Sequence, residues 1–250
     1  MRIIMRTIDY EARKKEILAQ AIDYYIRTAQ PVSSEVLVKD HNLELSPATI
    51  RNVFADLEQE GYLTHLHTSA GRIPTQLGYR FYVDNIMNEI QLLDAEKKRI
   101  EFEFRKGIKQ LEILLEKTSL VISQLTHCTG IVSLTEWQNR IFYKGTSFVV
   151  EQPEFKNLDK IRHLLKALDE KERLLEIINC DLEERLKIYI GTEIACSDIN
   201  DCSLIVSSFE KKNKPVGRMA VLGPTRMEYA KVVSTLQYMS VLVSRLLDDF

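Results

Sequence analysis

The N-terminal third of the chain carries apolar residues in helical spacing three times over, and each run stops at a residue that ends helices. Ile17, Leu18, Ala21, Ile22, Tyr25 and Ile26 recur at steps of three and four, one stripe on a charged helix predicted from Tyr10 to Thr28. Pro31 breaks that pattern. Ser33 or Ser34 is placed to cap a short second helix to about Asp40, with Val36 and Leu37 inward. The third helix has the sharpest boundaries. Ser46 precedes it as N-cap, Pro47 takes the first helical position, where a missing N–H costs nothing, and Gly61 stands where a left-handed residue is expected. Ile50, Val53, Phe54 and Leu57 form its buried stripe.

After Gly61 the pattern changes. Tyr62 to His67 alternates partially and is rich in strand formers, TSAGRIPT is rich in turn formers, and Thr75 can cap a helix from Gln76 to about Ile90. Three helices followed by two short strands around a loop form a winged helix-turn-helix. From Ala95 to Leu125 the chain reads as one long helix, or two joined near Gly107. Within it Phe104, Ile108, Leu111, Leu115, Thr118, Ile122 and Leu125 alternate steps of four and three. That seam fits either a dimer contact or a helix packed on its own domain. Strands are predicted over Gly130–Leu134, Arg140–Tyr143, Leu186–Ile190, Ser203–Phe209 and Val216–Leu222. Helices are expected over Leu158–Leu168, over Glu172–Ile178 and from about Arg226 to the end. The class is α+β: residues 1–90 a winged helix-turn-helix, 91–128 a linking and dimerisation helix, and 129–250 an α+β domain.

Composition narrows this only slightly. The charge of -2 gives no support to nucleic-acid binding, and residues 1–87 hold ten Lys or Arg against eleven Asp or Glu. The distribution is more telling. Leu45 to Ala55 and Gly61 to Val83 contain no acid, while Asp56, Glu58 and Glu60 gather at the far end of the third helix. No apolar run approaches the ~18 residues of a spanning helix, and the N-terminus lacks a signal-peptide core, so a cytoplasmic location without membrane contact is expected. Cys128, Cys180, Cys196 and Cys202 form no C-x-x-C pair; Cys196 and Cys202 fit half a metal site or, more simply, buried free thiols.

In a helix-turn-helix the second helix enters the major groove with its N-terminal residues on the base edges. Ser46, Thr49, Arg51 and Asn52 occupy that end; Arg matches guanine O6 and N7, and Asn matches adenine N6 and N7. The full expected DNA-contacting set is Ser33, Ser34, Ser46, Thr49, Arg51, Asn52, His67, Ser69, Arg72 and Arg80. Arg72 is expected on phosphate. Catalytic motifs are missing: there is no P-loop, G-x-G-x-x-G, H-E-x-x-H or G-x-S-x-G. Neither an enzyme nor a cofactor or metal is expected. Glu193, Asp198 and Asp201 fit a cation site or solvated acids, and GPTRMEY (223–229) fits a phosphate-binding helix start or a plain strand-to-helix turn.

On PVSSEVL (31–37), LSPATIRN (45–52), LEQEGYLTHLHTSAGRIPTQLGYRFYVD (57–84), GTSFVVEQPEF (145–155), IGTE (190–193), DCSLIVSSF (201–209) and VLGPTRMEY (221–229) the chain resembles the HrcA heat-inducible transcription repressors of bacteria. The blocks follow family order over nearly the whole chain, and HTSAGRIPT and GPTRMEY are the most specific. The resemblance implies a homodimer on an inverted-repeat DNA operator upstream of chaperonin and Hsp70-system genes. It implies activity kept up by the chaperonin and lost on heat stress, and a GAF-like fold for residues 129–250 carrying a dimerising insertion. A small-molecule-sensing GAF-type regulator is the alternative. Two departures stand out. The chain is short between Thr129 and Phe142, where that insertion begins, and Asn52-Val53-Phe54 differs from commoner family residues, so the operator sequence need not be identical.

Overall fold

The structure, a computed structural model, describes residues 2–41, 45–65, 71–88, 90, 92–104, 111–137, 140–180 and 184–248. The chain divides into two compact units, residues 1–88 and 89–250.

The first unit comprises α1 (Arg2–Thr28), α2 (Ser34–His41), α3 (Pro47–Gln59), β1 (Leu63–Thr64), β2 (Ile73–Pro74) and α4 (Gln76–Asn85). α1 starts well before Tyr10. Ile17, Leu18, Ala21, Ile22 and Ile26 are buried against α3, α4 and β2, while Tyr25 is half-exposed. On α2 it is Leu37 that is buried; Val36 stays half-exposed. α3 forms as its local chemistry dictates. The Ser46 hydroxyl accepts the Thr49 N–H at 3.1 Å, and Pro47 opens the helix. At the other end Gly61 adopts φ +81°, which lets the Gly61 and Tyr62 N–H groups donate to Glu58 and Leu57 carbonyls and close the helix. Ile50, Val53, Phe54 and Leu57 are buried, each contributing roughly 1.5–3 kcal/mol of apolar transfer energy. β1 and β2 pair antiparallel, Leu63 opposite Pro74 and Thr64 opposite Ile73. α4 ends at Asn85, short of Ile90, and Tyr82 donates to Asp23 on α1 at 2.9 Å.

The second unit holds α5 (Asp94–Phe104), α6 (Leu111–Thr126), β3 (Thr129–Leu134), β4 (Ile141–Lys144), α7 (Thr146–Val150), α8 (Leu158–Asp169), α9 (Lys171–Asn179), β5 (Leu186–Ile190), β6 (Cys202–Lys211), β7 (Lys214–Pro224) and α10 (Tyr229–Asp248). Its five strands run in the order β4-β3-β7-β6-β5, every neighbour antiparallel. The fold is therefore mixed, with helices around an antiparallel sheet, as the α+β reading expects. β3 and most of β6 and β7 are buried at consecutive positions, so both sheet faces are covered.

α6 packs on β3 and β4 and against α10. Its seam residues Leu115, Thr118, Ile122 and Leu125 are buried there, which is the second of the two readings the spacing allowed. Gly107 and Ile108 lie outside the described residues. The approach of helix to sheet is close: a Cβ on Gly130 would meet the Ser119 carbonyl at 2.4 Å, so only glycine fits. Where the sequence looks short, β3 and β4 are adjacent strands separated by residues 135–140. α7 and the 3-10 turns at Pro153–Phe155, Gly191–Glu193 and Ser197–Ile199 have no counterpart among the predicted elements, being too short to show a period.

Candidate nucleic-acid interface

α3 presents two faces set by its 3.6-residue turn. Opposite the buried stripe lie Ala48, Arg51, Asn52, Ala55 and Gln59, all exposed, with Thr49 half-exposed beside them. This face displays one guanidinium and one carboxamide, flanked by small residues that let a surface approach closely. Such a pair can make bidentate contacts with purine edges.

The three acids at the C-terminal end of α3 are each engaged by a different partner. Asp56 accepts the Tyr10 hydroxyl at 2.5 Å. Glu60 pairs with Lys14 at 2.7 Å. Glu58 takes both Arg72 (2.9 Å) and His65. Glu58 and Glu60 each face a cation, whereas the Tyr10 hydroxyl on Asp56 is neutral; by helical spacing Glu58 lies two turns from Arg51 and Asp56 one turn from Asn52, at the margins of the exposed face. An acid of another helix does come close: Glu35 Oε1 on α2 lies 3.9 Å from Arg51 Nη2.

The expected contact residues separate into groups. Arg51 and Asn52 share the outward face, and Arg51 Nε faces the Ser34 hydroxyl at 3.4 Å. Ser34 itself is buried, so its hydroxyl is turned to Arg51 rather than to solvent. Ser33 and Ser46 cap their helices, accepting the Val36 and Thr49 N–H groups, and the Ser46 and Thr49 hydroxyls lie 2.9 Å apart. Arg72 is three-quarters buried on Glu58. Arg80 pairs with Asp84 on its own helix at 3.3 Å. His67 and Ser69 lie outside the described residues. Glu35, and the partners of Glu58, escaped the sequence reading because the groups they meet are distant along the chain; the available signal for Glu35 was an acid in the first turn of α2, two residues after the capping Ser33.

The other candidate chemistry of the second unit is satisfied internally. Asp198 pairs with Lys166 at 3.0 Å and Asp201 with Lys160 at 2.8 Å, while Glu193 accepts the Ile190 N–H at 2.9 Å. Lys166 holds the Asp198 carboxyl below its ordinary value. No cluster of metal-ligating side chains occurs among the described residues. In GPTRMEY, Arg226 reaches Glu154 at 2.5 Å and Gln152 at 2.6 Å, so the arginine of that stretch is engaged by a carboxylate of the chain. Cys128, Cys196 and Cys202 are buried free thiols and Cys180 is exposed. Burial pushes the Cys128 thiol up to about 12 and raises that of Cys202 as well. No helix among the described residues is long and apolar enough to cross a membrane.

Comparison with known proteins agrees with this picture. Residues 133–233 match the family model described as the HrcA protein C terminal domain. The Carboxydothermus hydrogenoformans protein named heat-inducible transcription repressor HrcA is 30% identical, with 96% of this chain and 98% of that protein covered. The Symbiobacterium thermophilum protein of the same name is 29% identical, covering 90% and 95%. The first alignment runs over 337 positions against the 250 residues present here, so a substantial part of that relative faces no residue of this chain. A crystal structure of a hypothetical protein shares the fold, with a TM-score of 0.78 at 20% identity, covering 95% of this chain and 98% of its own. These matches span both units, and their consequence is plain: the chain belongs to the HrcA family of heat-inducible transcription repressors.

Proposed function

We propose that this chain represses heat-shock genes by binding an inverted-repeat operator as a dimer, with residues 1–90 acting as a winged helix-turn-helix. In this reading α3 lies in the major groove and β1–β2 form the wing. The observation that carries it is the outward face of α3, where Arg51 and Asn52 stand exposed while Asp56, Glu58 and Glu60 are each engaged elsewhere. Ser34 steadies Arg51, and the caps at Ser33 and Ser46 set the two helices at fixed starting points.

Residues 129–250 then form a GAF-like regulatory domain behind the reader, with the antiparallel sheet and its covering helices in support. Modulation by the chaperonin and homodimerisation follow from the resemblance of the sequence to its family, and a cytoplasmic location belongs to the same reading. A two-fold protein reads a two-fold site, which ties dimer to operator. Clefts of the second unit differ in lining: one along Asp169–Glu176 is charged, one between Arg185, Glu210, Arg245 and Asp248 also holds Leu186 and Val241, and one is lined by Leu158, Ile161 and Leu165. All three are open to solvent rather than enclosed, so the ligand-sensing alternative rests on no closed cavity among them.

Binding-site selection from random duplexes with the full chain tests the proposal. Enrichment of an inverted repeat is the expected result. Recovery of unrelated sequences, with no preference over bulk duplex, would overturn it. Adding purified chaperonin to the same binding reaction is expected to raise the active fraction.

A further inference from the structure

We infer that Glu58 is the positioning residue of the β1–β2 pair, and that Arg72 serves DNA binding through Glu58 rather than by touching phosphate. This rests on the winged-helix reading above. Glu58 sits near the end of α3, and its carboxylate is shared: Oε2 accepts Arg72 Nε–H at 2.9 Å, while Oε1 contacts His65 Nδ1. His65 directly follows β1 and Arg72 directly precedes β2, so a single carboxylate grips both strands at the same end of the pair. The main chain of Arg72 is fixed separately. Its N–H and C=O both pair with Val32, each at 2.8 Å, just ahead of α2. Gly71 permits that approach, since a Cβ there would lie 2.5 Å from the Val32 oxygen.

Arg72 thus joins three elements, and its side chain is 26% exposed against 25% for Glu58. For Arg72 to reach a phosphate, this partly buried pair must break, and breaking it leaves Glu58 without its cation beside a polyanion. Nearby on α1, Lys14 is already paired with Glu60 and Glu11, Lys15 lies over the Phe81 ring, and Asp56 accepts from Tyr10. The pair is therefore better suited to fixing the stance of both strands against α3 than to neutralising DNA.

The test uses the full chain and the duplex recovered by selection, with Arg72→Ala, Glu58→Gln and the double variant. Each single change is expected to weaken specific binding roughly three- to tenfold, with the double no weaker than the worse single, because one interaction is lost in all three. The slope of affinity against salt should stay that of the unaltered chain. In the DNA-free protein, amide exchange at residues 63–65, 72, 73 and 75 should quicken in both single variants while residues 50–57 keep their protection. A salt slope lowered by about 0.9 in Arg72→Ala, the value of one phosphate contact, would overturn the inference. Tighter binding by Glu58→Gln would overturn it too, since that signals an arginine released to DNA. Selective wild-type binding with unmoved exchange in Glu58→Gln overturns the positioning role alone. A wild-type chain that selects no duplex overturns the DNA-binding reading and this role with it.

Discussion

Arg51 and Glu35 face each other across α2 and α3, Nη2 to Oε1 at 3.9 Å, with both side chains largely exposed. The contact is too long and too wet to matter for stability; exposed pairs of this kind are worth about 0–1 kcal/mol. Its significance lies in position, because the acid stands beside the guanidinium proposed to read a base. Arg51→Ala is expected to weaken specific binding by about 1–3 kcal/mol, the scale of one bidentate base contact. A gel-shift titration with unchanged affinity and specificity refutes that role.

Glu35→Gln should act in the other direction. An acid near DNA repels every phosphate it meets, whatever the sequence, and so suppresses non-specific binding. Removing it is expected to leave the melting temperature unchanged and to raise affinity for random duplex more than for the selected site. A competition assay in which the specific-to-random ratio stays constant would count against this.

Ser46 illustrates how a candidate contact residue can have a structural use. Its hydroxyl accepts the Thr49 N–H at 3.1 Å, so Ser46→Ala should cost about 1 kcal/mol of unfolding free energy in a urea titration. Ser46→Asn retains the cap and should recover most of it. If Ser46→Asn recovers stability yet loses DNA affinity, the hydroxyl has a second partner on the operator.

Arg226 and Glu154 form a little-exposed ion pair joining distant segments of the second unit, with side chains 12% and 20% exposed. Arg226→Ala leaves that carboxylate unneutralised, and a loss of about 2 kcal/mol is expected, below the figure for a fully buried pair. Calorimetry with and without inorganic phosphate checks both readings of GPTRMEY. The melting temperature should drop in the variant, and phosphate should not raise it in the unaltered chain.

The thiols make a prediction about pH. Burial holds the Cys128 pKa near 12 against an unfolded value of about 9, so the native state disfavours the thiolate. Its contribution to stability is present below pH 9 and declines as pH rises toward 12, because the unfolded chain releases its proton first. A thiol reagent at pH 8 should therefore modify Cys180 quickly and Cys128, Cys196 and Cys202 only slowly, whereas in denaturant all four should react together. Rapid modification of Cys128 in the native protein would contradict its burial.

Much of the fold is legible in the sequence where the determining forces are local. α3 is the clearest example, since Ser46, Pro47 and Gly61 act within a turn of where they stand and its apolar stripe repeats at the helical period. The antiparallel strands of the second unit are similarly readable from their runs of β-branched residues. α7 spans five residues and shows no period, so only the packing of Val149 reveals it.

Spacing of four and three along α6 determines that one helix face is buried, but not what covers it. Leu115, Ile122 and Leu125 would satisfy the hydrophobic effect equally well against another copy or against β3; the compact second unit decided for β3 and its neighbours. The reading face of α3 is a mixed case. Arg51 and Asn52 follow from sequence, because helical geometry alone puts them opposite Ile50, Val53, Phe54 and Leu57. That Asp56, Glu58 and Glu60 are engaged by Tyr10, Arg72 and Lys14 does not follow, since Coulomb and hydrogen-bond energies depend on distance in space, and those partners come within reach through the packing of α1 on α3 and the pairing of β2 with β1, which itself packs on α3.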